Sequence, residues 1–388
     1  MNVLYIQDQQ VVSSEGVVYH EKSEHFFERF LAGLNNNDSL VVYTGLKEEL
    51  DTDVVNKYKC VSNNRIRFVG VPEFRKPKNL LKIYRQMKEA VKDADFCYLR
   101  CGIASSFAGL FCKRFNVPYM TIVNEDIFKS TVNHSSLIVR LSAYPLWLLT
   151  RYVVRNANYS CYVTKEYLQT KYPCRGKSLG CSDIEFLNID DAVIIQRKDK
   201  IEKMQDPIIL GSVGSVSTVI KGHDTAIKAL AKLKEEGYVG YIYQIVGTGD
   251  PSRLKALAEQ CGVVDMVKFM GVYKHEDVLK WFEDIDIYLH PSRSEGLPRT
   301  IIEAMTKATP CVCSQVGGIP ELISTEFLFA YDGKEVESLK DSILRLTKER
   351  MISEGEKNYY KSKQYEPKRL EKIRHDFFEE AIESHRKK

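Results

Sequence analysis

Short apolar runs alternate with stretches of helical spacing along almost the whole of this 388-residue chain. Nothing else in the sequence restricts the fold as much, because strands that alternate with helices build parallel, doubly wound sheets. In the first half, strands are expected at residues 3–6, 40–43, 67–69, 96–100, 119–123 and 159–163, with helical patterns at 22–34 and 80–92. The second half repeats the pattern. Its strands are expected at 208–213, 241–246, 268–270, 287–290, 311–314 and 327–330, and its helices at 225–236, 251–261, 275–284 and 300–307. A chain of this length exceeds one ordinary core, so two domains are expected. Their bounds are read as 1–185 and 207–364, joined by a polar linker at 186–206. A closing charged helix at 365–388 carries Leu370, Ile373, Phe377 and Ile382 at helical spacing.

Composition narrows the function class. The net charge is +4, with 44% hydrophobic and 28% charged residues, the balance of a soluble globular protein. So mild a charge, without a recognition motif, speaks against nucleic acid as a partner. Ten cysteines lie scattered without metal-ligand spacing, which predicts free thiols in a reducing cytoplasm. The first residues enter a strand at once, and no secretory signal is expected.

Chemistry concentrates in Pro291-Ser-Arg-Ser-Glu-Gly-Leu-Pro-Arg-Thr-Ile-Ile-Glu-Ala-Met305. Flanked by the strands at 287–290 and 311–314, it sets Glu295 in a loop and Glu303 in the following helix. Both acids then stand at the carboxyl edge of a parallel sheet, where open α/β sheets bind ligands. The helix start near Pro298 offers free N–H groups and a positive dipole end, suited to phosphate. Carboxylates repel phosphate but accept hydrogen bonds from sugar hydroxyls. A sugar nucleotide carries both partners. The same spacing taken alone also describes a loop acid and a solvated helix acid.

The run from Asp286 to Leu322, with PSRSEGLPRTIIEAM followed by GGIPEL, resembles the donor-binding signature of retaining GT-B glycosyltransferases, glycosyltransferase family 4. Lys221-Gly222, Gly247-Thr-Gly-Asp250 and Val267-Lys-Phe-Met-Gly271 fall in the order that resemblance requires. It covers residues 205–335 strongly and the first half weakly. The implied architecture is α/β GT-B: two Rossmann-like doubly wound domains facing a cleft, with the last helix crossing back to the first domain. The implied substrate is a nucleotide diphosphate sugar, a UDP-sugar by expectation, with no cofactor and no metal. The implied acceptor is a glycan or a lipid-linked sugar.

By the same resemblance Lys221 meets the donor diphosphate, Glu303 accepts from ribose hydroxyls, and Glu295 sits near the transferred sugar; these three are the expected catalytic set. The donor pocket is expected to include Gly214, Ser215, Gly247, Gly249, Arg253, Met270, Gly271, Gly296, Leu297, Arg299 and Thr300. Two positions depart from the family pattern. Ser215 stands where an arginine is usual, so Arg293, Arg299 or Arg253 must supply a second cation, Arg299 first because it begins a helix. Leu297-Pro298 replaces phenylalanine-glycine, and proline removes one N–H donor. Gly247-Thr-Gly249 lacks the third glycine of a dinucleotide fingerprint and is read as a tight turn.

Three Asp-x-Asp triplets, at 51/53, 93/95 and 284/286, have metal-binding counterparts in the unrelated GT-A transferases, but here no metal is expected. Acceptor-side candidates are Gly16, in Ser13-Ser-Glu-Gly16 after the first strand, Arg100, Asn124, Glu125, Asp126 and His134. Residues 137–150 are strongly apolar, with arginines at 140, 151 and 155. The stretch is too short to span a bilayer. It reads either as a helix packed on its own sheet or as one lying at the inner face of the plasma membrane. Three other readings stay open: a GT-B-fold UDP-sugar epimerase, a non-catalytic scaffold and a NAD-dependent dehydrogenase.

Overall fold

The computed structural model describes the chain except residues 21–25, 50–57, 74–75, 134–135, 186, 188 and 387–388. It divides into two compact units, Met1–Glu185 with Lys368–Lys388, and Phe186–Pro367.

The first unit contains strands β1 (Asn2–Ser14), β2 (Val17–His20), β3 (Ser39–Glu48), β4 (Lys59–Cys60), β5 (Ile66–Gly70), β6 (Phe96–Arg100), β7 (Tyr119–Val123), β8 (Tyr159–Tyr162) and β9 (Lys177–Gly180). The parallel strands lie in the order β5-β3-β1-β6-β7-β8-β9. Winding changes direction between β1 and β6, so the switch point lies there. Runs such as Val3-Leu-Tyr-Ile6 are buried on both faces, as a covered parallel sheet demands. Helices α1 (Leu80–Lys92), α2 (Ile103–Phe115), α3 (Ile127–Val132), α4 (Leu137–Leu141), α5 (Ala143–Arg155) and α6 (Tyr167–Lys171) follow the strands. On α1, Ile83, Met87 and Val91 stand one turn apart and enter the core together.

Two expectations about this unit are corrected. β1 continues past residue 6 to Ser14 and turns back into β2, with Glu15 (φ 49°) and Gly16 (φ 81°) as the tip. Two positive-φ residues make the twist that a tight hairpin needs. Gly16 is therefore an exposed hairpin residue and not part of a loop closing the first strand. Within the described part of 22–34 there is only a 3-10 turn, Glu28–Leu31. Phe26, Phe27 and Phe30 are all buried beside it, Phe30 stacking on Tyr5 at 4.1 Å, and the backbone winds tightly to bury all three.

The second unit is a six-stranded parallel sheet of β10 (Ile208–Val213), β11 (Tyr241–Val246), β12 (Val267–Gly271), β13 (Ile287–His290), β14 (Cys311–Ser314) and β15 (Leu328–Phe329). Its order, β12-β11-β10-β13-β14-β15, is the nucleotide-binding arrangement with the switch between β10 and β13. The helices are α7 (Ala192–Glu202), α8 (His223–Glu235), α9 (Ser252–Gln260), α10 (His275–Asp284), α11 (Arg299–Thr306), α12 (Glu335–Leu344) and α13 (Lys348–Ser362). Helix α7 falls inside the expected linker. Its Arg197 is buried and donates to the carbonyls of Ile285 and Phe282, each at 2.6 Å, and Lys200 donates to Asp284 O at 2.5 Å. Two cations thus satisfy the carbonyls that α10 leaves open at its end, which holds the polar segment in the second unit.

The chain closes with α14 (Pro367–Arg386), which packs in the first unit. Its buried row is Leu370, Arg374, Phe378, Ala381 and Ile382. Phe378 stacks on Phe30 at 5.7 Å and lies 5.4 Å from Tyr98. The expected row differs in two places: Ile373 is exposed, and Phe377 meets Tyr159 at the margin. Arg374 takes an inner position because its guanidinium donates to Ser182 O at 2.5 Å.

Candidate active site

At the switch point of the second unit, the connections leaving β10 and β13 lie side by side. After β10 the chain passes a 3-10 turn, Val219–Lys221, and enters α8 through Gly222. After β13 it runs to Pro298 and enters α11. The two connections are stitched together: Arg293 N donates to Ile220 O at 2.7 Å, and Ser292 Oγ to the same carbonyl at 3.1 Å. Gly222 is needed twice over, for its φ of +68° and because a Cβ would lie 1.7 Å from Pro291 O. At Gly247 a Cβ would lie 1.8 Å from Gly214 O, so the β10 and β11 connections also touch through backbone.

This packing brings Lys221 to Glu295, Nζ donating to Oε1 at 2.8 Å. The lysine stem lies along Gly214, where a Cβ would be 3.0 Å from its Cγ. His290, the last residue of β13, places Nε2 3.1 Å from the same carboxylate oxygen. Burial alone raises the Glu295 carboxyl, but the His290 hydrogen bond and the Lys221 charge outweigh it and hold it at about 2. For His290, burial lowers the pKa, so the ring is neutral at neutral pH. Its tautomer follows: an ionised carboxylate only accepts, so Nε2 carries the proton, and Nδ1 accepts from Tyr288 OH at 3.1 Å. Sequence reasoning missed His290. The one available signal was its place at the carboxyl end of a strand.

Glu303 is nearly buried on α11, and His275 Nε2 sits 3.2 Å from its Oε1. That hydrogen bond raises the His275 pKa against partial burial. Of the three cations considered beside Ser215, Arg293 is committed elsewhere. It grips Asp224 through two bonds of 2.8 and 2.7 Å and lies over the Tyr331 ring. Arg253 is exposed in the first turn of α9, where its charge acts on Asp224. Arg299 is exposed at the head of α11, with Thr300 next to it. Leu297 is buried, and Gly296 O accepts from Gly318 N at 2.6 Å. Gly249 adopts φ +108° against Ser217. Met270 and Gly271 close β12 with a register shift, and Gly271 O accepts from Gly247 N at 2.8 Å.

In the first unit, the acceptor-side candidates divide. Asp126 caps α3, accepting from Phe128 N at 3.1 Å and Lys129 N at 3.3 Å, and it also accepts from Tyr167 OH at 2.6 Å and Tyr172 OH at 3.0 Å. With so many donors on it, its role is to hold the fold. Arg100 ends β6 and Asn124 follows directly after β7; among the described residues Asn124 Oδ1 is buried without a hydrogen-bond partner. Glu125 is exposed, and His134 lies outside the described residues. The structure adds Asp8, which the sequence did not single out. Its carboxylate accepts from Ile103 N, and from Ala104 N at 3.0 Å, at the head of α2. Burial raises it to about 6 despite those bonds.

Among the described residues no three His, Cys, Asp or Glu converge as a metal site. Asp286 instead accepts from Ile209 N at 2.7 Å and pairs with Lys200 at 2.9 Å, and Asp95 accepts from Asn2 N at 2.7 Å. Asp51 and Asp53 lie outside the described residues.

Residues 194–365 match the family model described as glycosyl transferases group 1. The chain is 29% identical to protein CapJ of Staphylococcus aureus over 336 residues, covering 85% of this chain and 82% of CapJ. It is 32% identical to the lipopolysaccharide glucosyltransferase WaaG of Escherichia coli over 131 residues, 34% of each chain. Other relatives align over 28–38% of their own length. A solved WaaG structure superposes with a TM-score of 0.62 at 17% identity, covering 97% of this chain and 99% of that one. HepE from Anabaena, solved with UDP-glucose, gives 0.61 at 15% identity, covering 97% and 98%. The fold is thus α/β of the GT-B class. Residues 194–365 are therefore similar to the glycosyl transferases of group 1.

Proposed function

We propose that this protein transfers a hexose or N-acetylhexosamine from a UDP-sugar to a glycan or lipid-linked acceptor in polysaccharide biosynthesis, with retention at the anomeric carbon. One observation carries the reading: Lys221, Glu295 and His290 converge across the switch point of a nucleotide-binding sheet, beside the open head of α11. A diphosphate offers Lys221 a stronger partner than Glu295. Once the lysine swings to it, Glu295 is released toward sugar hydroxyls while His290 keeps it ionised. Glu303 serves the ribose. The amides and Arg299 at the head of α11 share the diphosphate charge, and the scheme needs no metal. The anomeric carbon–phosphate oxygen bond breaks, the acceptor oxygen bonds to that carbon on the same face, and the acceptor proton passes to the leaving phosphate. The donor class draws on HepE, solved with UDP-glucose, and the setting on WaaG, named for lipopolysaccharide. Ten free cysteines suit a reducing cytoplasm, where such a donor is available.

Calorimetric titration with UDP, GDP and ADP, with and without EDTA, tests it. UDP should bind saturably and without regard to EDTA. Glu303→Ala should weaken that binding roughly 10- to 100-fold, the worth of charge-assisted hydrogen bonds, whereas Glu295→Ala should chiefly lower turnover. Folded protein that binds none of the three nucleotides would sink the proposal and leave the scaffold reading. Conversion of a UDP-sugar without acceptor would turn it toward an epimerase.

A further inference from the structure

The helices after β7 carry a surface that the donor site does not use. Residues 127–165 contain no Asp or Glu, in a chain with 52 of them over 388 residues, yet they include Lys129, Arg140, Arg151, Arg155 and Lys165. The inner side of α5 is occupied: Val153 and Val154 are buried, Val153 presses on Gly109, and Thr150 Oγ1 lies 3.1 Å from Ser106 Oγ on α2. Its outer side is apolar as well. Leu137, Leu141, Tyr144, Leu148 and Tyr152 are each between 46% and 73% exposed. Their spacings of three and four put them in one stripe. Ser142, between α4 and α5, keeps helical angles (φ −80°, ψ −4°), so the stripe runs on through the joint. At 1.5 Å per residue it extends about 22 Å from Leu137 to Tyr152. Arg140 and Arg155 are exposed beside it, and the Arg151 guanidinium lies 5.2 Å over the Trp147 ring.

We infer that this face docks on an anionic lipid bilayer, with α4 and α5 lying in the plane of the headgroups. The charge pattern selects that occupant. Every charged side chain from 127 to 165 is cationic, which suits a lipid surface of one sign, and tyrosine, tryptophan and arginine settle where an apolar body meets a polar rim. Among the described residues no helix is long and apolar enough to cross a membrane, so the contact is peripheral. The packing on its own unit is seen on the inner side of the helix, and the inference concerns the outer side alone.

Flotation of the full chain with vesicles of phosphatidylcholine, with and without phosphatidylglycerol, tests the inference. The protein should float only with the anionic vesicles and detach as salt rises. Leu141→Glu with Leu148→Glu should abolish flotation while leaving the melting curve and UDP affinity as in the wild type. Should that pair disturb folding, Arg140→Gln with Arg155→Gln should still weaken binding by about an order of magnitude or more. No flotation with anionic vesicles, or equal flotation of folded variants and wild type, overturns the inference. So does a dimer that Leu141→Glu with Leu148→Glu dissociates, since the face would then belong to a second copy. UDP affinity is read separately, so failure here is distinguishable from failure of the donor site.

Discussion

Glu295 is the residue on which most of the local electrostatics converge. Its carboxyl is held at about 2 against an ordinary 4.5, so its ionised form favours the folded state. That contribution is complete above pH 4.5 and is lost as pH falls toward 2. Glu295→Gln should therefore lower the melting temperature at pH 7, and the gap to wild type should narrow between pH 5 and pH 3 in matched melting curves. His290 acts through this carboxylate. His290→Ala should cut kcat by roughly 10- to 100-fold while changing nucleotide affinity little, since it orients a group that meets the sugar. A parallel loss of UDP affinity would show that it shapes the nucleotide pocket instead. Lys221 and Glu295 were legible from spacing and resemblance. Their direct contact was not, because a 2.8 Å pair across 74 residues depends on how two connections pack.

At the scale of elements, glycine decides how closely the connections approach. Gly247 and Gly237 look alike in sequence but differ in surroundings. A Cβ at Gly247 would strike Gly214 O, whereas at Gly237 (φ +88°) nothing lies within 4 Å. Gly247→Ala should cost about 1–3 kcal/mol and weaken UDP binding at least tenfold, because the β10 connection must shift with Lys221 on it. Gly237→Ala should cost only the backbone strain, about 1 kcal/mol, and leave UDP binding intact. Chemical denaturation with calorimetric titration separates the two. Buried parallel strands were readable to within a residue or so at 96–100, 208–213 and 287–290, where the apolar run is short and sharply bounded. The long β1 hairpin was not, since residues 7–10 (Gln-Asp-Gln-Gln) read as the end of a strand by polarity alone. Pairing with β3 on resumed register carries the strand through them.

For the molecule as a whole, the two units have distinct cores, and the last helix belongs to the first of them. Phe378 is buried between Phe30 and Tyr98, in van der Waals reach of rings far away in sequence. Phe378→Ala should destabilise the first unit by about 3–5 kcal/mol, the usual cost of emptying an aromatic site. Scanning calorimetry should show the transition of the first unit move down while the UDP-stabilised transition of the second keeps its temperature. A shift of both together would show that the units melt as one.

By itself the sequence determined the α/β class, two repeats of it, most strand positions and the pair of acids flanking a helix start. These follow from local periodicity and from a signature contained in one contiguous stretch. Tertiary structure alone decided that the candidate cation Arg293 is spent on Asp224, and it set Arg197 on the end of α10. It also drew His290 and Asp8 into the sites, and turned Asp126 into a cap gripped by two tyrosines. The physical reason is the same in each case: a polar side chain takes its role from the donors and acceptors that burial leaves beside it, and those arrive from distant parts of the chain.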